Sequence, residues 1–369
     1  MTLYIVVFLF LSCLSLAEEY AKPVQRNWLF PISIIVIGAF QALRWDTGTD
    51  WDSYHDFFIY SNNPIRRDEA GFEFGYTLLN QYIRSFSASF TSFLFVECFL
   101  NLFFIVRFAK DMRMNKCLML LISFCLSTFP IRYTLASNII LCSYKYIKER
   151  RIFPFLLLYI LAFSIHRSII IFLPVFFLVR RVYSAFSLLF VFFLAIVIGL
   201  LAEKTFENVL WFISLFYGQI GDSFQNKLDA YVTGEIPDYA VMSTTRLLIA
   251  YANSIFFISL FCYFRKKFFK DNALYNILLN LYVIGLSFNR IFLQIIPDFA
   301  RATSLFPGGF PVLIWMIINC YSRKNKFVLL ILLIVYYYFI YQSATFKGYY
   351  WYVFVPYYSI FSSGTRLDY

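Results

Sequence analysis

"ASFTSFLFVECFLNLFFIVRFAKDMRMNK", residues 88–116, is a long apolar run that ends in four basic residues, Arg107, Lys110, Arg113 and Lys116. A helix rises about 1.5 Å per residue, so roughly 20 apolar residues cross a hydrocarbon layer of about 30 Å. Its apolar part, 88–106, meets that length with a single acid, Glu97, inside it. Its basic end reads as a cytoplasmic anchor. Similar runs occur near 3–17, 28–43, 117–130, 131–147, 152–165, 167–179, 185–201, 246–264, 273–297, 304–320, 326–345 and 349–361. The expectation is an all-α polytopic integral membrane protein with roughly 10–13 transmembrane helices or half-helices and helical outer loops. Residues 1–369 form a single integral membrane domain on this reading.

Composition excludes the main alternatives. With 61% hydrophobic and 14% charged residues, a soluble domain would lack the polar surface it needs. The alternating ten-residue segments of a membrane β-barrel are missing. The net charge of +11 comes from small clusters between apolar runs, which argues for topology signals and against nucleic acid. The seven cysteines form no CxxC pair and have no histidine at ligand spacing, so no disulfide framework, metal or cofactor is expected. "MTLYIVVFLFLSCLSLAEEY" has no basic n-region and reads as a first membrane segment, not a cleaved signal.

Lys22/Arg26, Arg107–Lys116, Lys145–Arg151, Arg180/Arg181, Arg265–Lys270 and Arg323–Lys326 are assigned to the cytoplasm. Loops 44–87 and 202–245, which hold most of the acids, then lie outside and are expected to contribute to an active site. The informative basic residues are those that break this rule: Arg44, Arg66, Arg67, Arg84, Arg132, Arg167, Lys204, Lys227, Arg246, Arg290, Arg301 and Lys347. Most are arginine, whose planar fork holds phosphate or carboxylate oxygens bidentately. The outer face therefore reads as built for an anion, although single outer arginines also snorkel to headgroups or pair with aspartates. Arg290 sits deeper, within a span, where an unpaired arginine costs at least about 2.5 kcal/mol and needs a cavity or counter-charge. Glu97 is a second intramembrane charge, able to pair with such an arginine.

The first outer loop begins "RWDTGTDWDSYHDFF", residues 44–58. Gly48 with Thr47 and Thr49 breaks the helix, which puts Asp46, Asp50 and Asp52 on a loop. Trp45, Trp51 and Tyr54 suit the membrane interface. They equally suit stacking on sugar rings, with the aspartates accepting from sugar hydroxyls.

Taken together, "GTDWDSYHDFF" (48–58) and "EAGFEFGYTLLN" (69–80) resemble the first outer loop of the EpsG-like, Wzy-type polysaccharide polymerases. "IRYTLASNIIL" (131–141), "LAFSIHRSIIIFLPVFF" (161–177) and "FARATSLFPGGFPVLI" (299–314) resemble later segments of that family, in the same order. Two positions depart from the pattern: isoleucine precedes His166, and Tyr133 follows Arg132. The resemblance implies a bacterial inner-membrane enzyme that joins undecaprenyl-diphosphate-linked oligosaccharide repeat units on the outer side. Its partners would be those lipid-linked substrates, membrane lipids and a chain-length regulator protein, with no nucleic acid.

Such a transfer needs fixed positive charge for the leaving diphosphate, for which no metal is required, and a carboxylate for the acceptor proton. On this reading Arg132, Arg167 and Arg301 bind the diphosphate and Arg290 supports them. Asp50 is the base, with Asp46, Asp52 and Glu73 as rivals, and Arg44 and Tyr54 complete the substrate-binding set. His166 either donates to a phosphate oxygen, orders Arg167 or is simply a packed polar residue. Gly48, Gly71 and Gly75 shape the loop. An O-antigen ligase, another lipid-linked-sugar glycosyltransferase and a lipid-linked-oligosaccharide flippase remain the alternatives.

Overall fold

The computed structural model describes residues 1–65, 71–129, 131–204, 244–293, 303–347 and 351–362. Among these every regular element is a helix, with no strand and one isolated bridge between Arg44 and Ser359. It folds as two compact units, Met1–Ile170 with Ile314–Tyr369, and Ile171–Leu313.

The first unit contains α1 (Thr2–Tyr20), α2 (Pro23–Ala42), α3 (Trp51–Tyr60), α4 (Phe74–Phe86), α5 (Phe90–Asp111), α6 (Lys116–Leu126), α7 (Arg132–Glu149) and α8 (Ile152–Ile165). The second contains α9 (Val175–Leu178), α10 (Ala185–Lys204), α11 (Thr244–Phe268) and α12 (Ala273–Phe292). α13 (Phe310–Ile318) leads back to the first unit, where α14 (Arg323–Phe346) packs on α6 and α1. By length and composition α1, α5, α11 and α14 are able to cross a membrane, and α6, α8 and α10 are shorter apolar helices.

The outward face of α5 is apolar, unlike that of a water-soluble helix. Phe95, Phe99 and Phe103, one turn apart, face outward at 49%, 66% and 53% exposure, a stripe that water would penalise and lipid accepts. The buried face carries Glu97 and Asn101. Asn101 Nδ2 donates to Glu97 Oε1 at 2.6 Å, and Asn138 Nδ2 on α7 donates to Asn101 Oδ1 at 2.9 Å. Polar atoms that lipid cannot satisfy are thus satisfied between helices.

α6 is buried along nearly its whole length, and its 11 residues span only about half the hydrocarbon thickness. Its first-turn N–H groups cannot reach water and need acceptors from the protein. Asn115 Oδ1 accepts from Leu118 N at 2.8 Å, and Glu18 Oε2 on α1 accepts from Cys117 N at 2.7 Å.

The basic clusters of this unit gather at one end. Asp111 pairs with Arg107 at 3.1 Å and Lys145 at 3.4 Å, Lys326 pairs with Glu19, and Trp315 Nε1 donates to Arg113 O at 3.2 Å. The opposite end holds the close of α2 and α8 and the start of α5 and α7.

The apolar run 349–361 departs from expectation. Over residues 351–362 it forms a single 3-10 turn, Trp351–Val353, followed by an irregular segment. Its backbone is used by the loop after α2: Trp45 N donates to Tyr358 O at 3.0 Å, Gly48 N to Val353 O at 2.8 Å, and Ile360 N to Leu43 O at 3.0 Å. Pro356 also lacks the N–H that a helix would need there.

In the second unit α10 and α12 meet at Gly199. A Cβ there would collide with the Arg290 backbone, so only glycine permits the approach. Asn280 Nδ2 on α12 donates to Val179 O at 2.8 Å and Arg181 O at 2.7 Å, fixing the chain after α9.

Removing the α6 cap with Asn115→Ala is expected to destabilise the protein by about 1 kcal/mol. A lowered midpoint of thermal unfolding in detergent, with normal expression, checks this.

Candidate active site

The site end of the first unit is organised by the turn before α4. Gly71 has φ +62°, a conformation open to glycine at little cost. The turn leaves Glu73 as the N-cap of α4 and sets the Phe72 ring beneath Arg132, 4.5 Å from its guanidinium carbon. Phe72 also meets Phe57 at 4.5 Å and Tyr54 at 5.8 Å, which fastens α3 to the same spot. Gly75 then allows α4 to press against the end of α8: a Cβ at 75 would stand 2.8 Å from the Ser164 carbonyl oxygen. That approach brings Glu73 to the residues that follow α8.

Glu73 is the junction. Its Oε2 accepts from Arg132 Nη1 at 2.6 Å, and its Oε1 accepts from the Arg167 amide at 2.9 Å and from Arg167 Nε at 3.4 Å. Arg167 Nη2 donates to Gly71 O at 2.9 Å. The Glu73 side chain is 9% exposed, Arg132 18% and Arg167 46%, so Arg167 is the open arm. Burial works to raise the Glu73 carboxyl, but Arg132 and the Arg167 amide prevail and hold it below the usual carboxylate range. α7 starts at Arg132 without a side-chain cap, so its dipole adds positive potential here.

His166 stands beside this pair, edge-on to Tyr133 at 5.3 Å. Its Nδ1 accepts from the Ser168 amide at 3.2 Å and lies 2.7 Å from Ser168 Oγ, which assigns the proton to Nε2. Burial first, then the Arg132 charge, pulls the imidazole down to about 4, against the opposing influence of Glu73. It is a neutral Nε2–H donor at neutral pH.

Tyr54 connects the aspartate loop to the arginines. Burial raises its phenol above the ordinary range, against Arg132, which also hydrogen-bonds it, while Asp50 adds to the rise. Asp50 precedes α3, is exposed, has φ +59° and forms no ion pair among the described residues. Asp46 is also in a left-handed conformation at φ +43°. Asp52 does not lie on the loop: α3 starts at Trp51, and Asp52 occupies its first turn, where the helix dipole favours an acid.

Arg44 is placed differently from its expected role at the substrate. It is 1% exposed, packed 4.8 Å from the Phe129 ring centre and 5.7 Å from that of Trp51, with Nε and Nη1 lacking hydrogen-bond partners. Burial opposes its charge, and Glu97 is the main group offsetting that cost. Trp51 is likewise interior at 7% exposure, against Phe90 at 4.9 Å. Arg290 belongs to the second unit, with Nη2 3.4 Å from Ser254 Oγ and 3.5 Å from Ala250 O. Arg301, like most of loop 202–245, lies outside the described residues. The structure thus brings Glu73, Arg132, His166, Arg167 and Tyr54 together, with Asp50 one turn from Tyr54. Sequence reasoning missed Phe72, the Gly71 carbonyl and Ser168. The "HRS" triplet was the one available cue for Ser168.

An all-helical membrane protein with paired guanidiniums at one polar end is the class these features define. The family model of the EpsG family matches residues 27–359, and the chain belongs to that family. Its role is accordingly polysaccharide-polymerase-like, within polysaccharide biosynthesis. Comparisons with curated proteins and with solved structures return no match.

Because the folded state holds His166 neutral down to about 4, whereas an unfolded histidine takes its proton near 6.5, acid favours unfolding across that window. Stability contributed here is complete above pH 6.5 and is lost as pH falls toward 4. Glu73, also depressed, is lost at lower pH still. Thermal midpoints in detergent should drop from pH 7 to pH 5 in the wild type, and less in His166→Gln.

Proposed function

We propose that the chain joins undecaprenyl-diphosphate-linked oligosaccharide repeat units at the outer face of a bacterial cytoplasmic membrane. The observation that carries this reading is the convergence of Arg132, from the start of α7, and Arg167, from the end of α8, on one carboxylate. Two guanidiniums fixed 2.6 to 3.4 Å from the same pair of oxygens form a ready anion receptor.

In the transfer, the bond between the donor's anomeric carbon and the diphosphate oxygen breaks, and its electron pair leaves with the diphosphate. Arg132 and Arg167 neutralise the charge that accumulates there, and the Nε2–H of His166 donates to a phosphate oxygen. The acceptor sugar hydroxyl attacks the anomeric carbon, and its proton passes to Asp50, with Asp46 and Asp52 as neighbouring carboxylates. Tyr54, bonded to Arg132 and one turn beyond Asp50, spans the distance between leaving group and attacking group. Both lipid tails remain in the bilayer, so only the sugar ends need orienting. A chain-length regulator is the protein partner this reading expects.

Replacing Arg132 or Arg167 by lysine keeps the charge and removes the fork; polymer formation should fall about 10²-fold or more at unchanged protein level. Asp50→Asn should bind lipid-linked substrate and fail to turn it over. A deletion strain should display single repeat units capped on lipid. Complete loss of surface sugar would favour a flippase, and normal polymer would refute the assignment.

A further inference from the structure

The carboxylate of Glu73 occupies the place where an anionic ligand of these arginines would sit. Each of its oxygens is held by a different chain segment: Oε2 by Arg132, Oε1 by the amide and Nε of Arg167. The match is incomplete. Arg132 Nε is buried without a hydrogen-bond partner, and Arg167 Nε reaches Oε1 only at 3.4 Å. A carboxylate has two oxygens and one charge, so it leaves donor capacity unused. Arg167 is nearly half exposed, so the clamp opens outward.

We propose that Glu73 is a resident internal anion that the substrate diphosphate displaces from Arg132 and Arg167 and that reclaims them when the product leaves. This rests on the reading that these arginines receive a diphosphate, and it assigns Glu73 a role distinct from that of a base. The consequence is selectivity by charge and reach. A diphosphate carries more charge and more oxygens than the carboxylate and fills the donors that Glu73 leaves idle, whereas a singly charged anion gains little from the exchange. Return of Glu73 then ejects the spent lipid diphosphate, which would otherwise remain as a tightly held product. A fixed carboxylate a bond rotation away competes at an effective concentration on the order of millimolar or higher.

The test is binding of inorganic pyrophosphate to the purified full chain in detergent, followed by titration calorimetry. The apparent dissociation constant equals the intrinsic one divided by the fraction of clamp that is free, so removing the competitor tightens binding. Glu73→Gln should bind pyrophosphate about tenfold more tightly than the wild type. Glu73→Asp, which withdraws the carboxylate by one methylene and keeps its charge, should also bind more tightly, and it settles the matter if the glutamine variant does not fold. Equal or weaker binding in the folded variants would make Glu73 a permanent strut and overturn the proposal. Arg132→Met separates the two claims: it should abolish pyrophosphate binding, and wild-type binding in that variant would remove the diphosphate site itself, whatever Glu73 does.

Discussion

The shared carboxylate of Glu73 is the interaction on which the site end depends. Arg132 begins one helix and Arg167 follows the end of another, and no backbone hydrogen bond joins the two positions. Without a counter-charge, two guanidiniums this close would repel each other and the positive start of α7. A partly buried cluster of this kind adds little net stability, because desolvation offsets attraction, yet loss of one partner leaves an uncompensated charge. Its value lies in geometry. Gly71 and Gly75 serve the same end, one by turning the chain before Glu73 and the other by letting α4 close on Ser164.

Beneath the site the same logic recurs with fewer charges. Arg44 and Glu97 are both almost fully buried, and the neighbouring polar groups are tied together from helix to helix, Gln41 to Thr128 O at 2.8 Å and Asn138 to Asn101 at 2.9 Å. Aromatic faces take the remaining sides of Arg44. The largely apolar interior of this unit thus encloses a small polar network, which keeps Arg44 and Glu97 out of contact with lipid.

Much of the fold was legible because a lipid-facing helix must be apolar for its entire length. The runs 3–17, 88–106 and 152–165 lie on α1, α5 and α8. The run 349–361 has the same composition but pairs with residues 43–48, and a partner so distant in sequence leaves no local trace. The site was legible in part. Outer-loop residues could be singled out by charge, but not the convergence of Glu73 with Arg132 and Arg167, which are 59 and 94 positions away. Charge alone also gave no sign that the Arg44 cation is buried against aromatic rings, or that Asp52 lies in the first turn of a helix and not on the loop.

The ladder between residues 43–48 and 353–360 has a consequence for biogenesis. Thr47 accepts the Tyr358 amide at 3.1 Å, across 311 positions of chain. Residues 43–48 leave the ribosome long before the segment 353–360 that supplies these partners. A chain stalled between the two segments would hold Glu73, Arg132 and Arg167 but lack these backbone partners of the loop that carries Asp46.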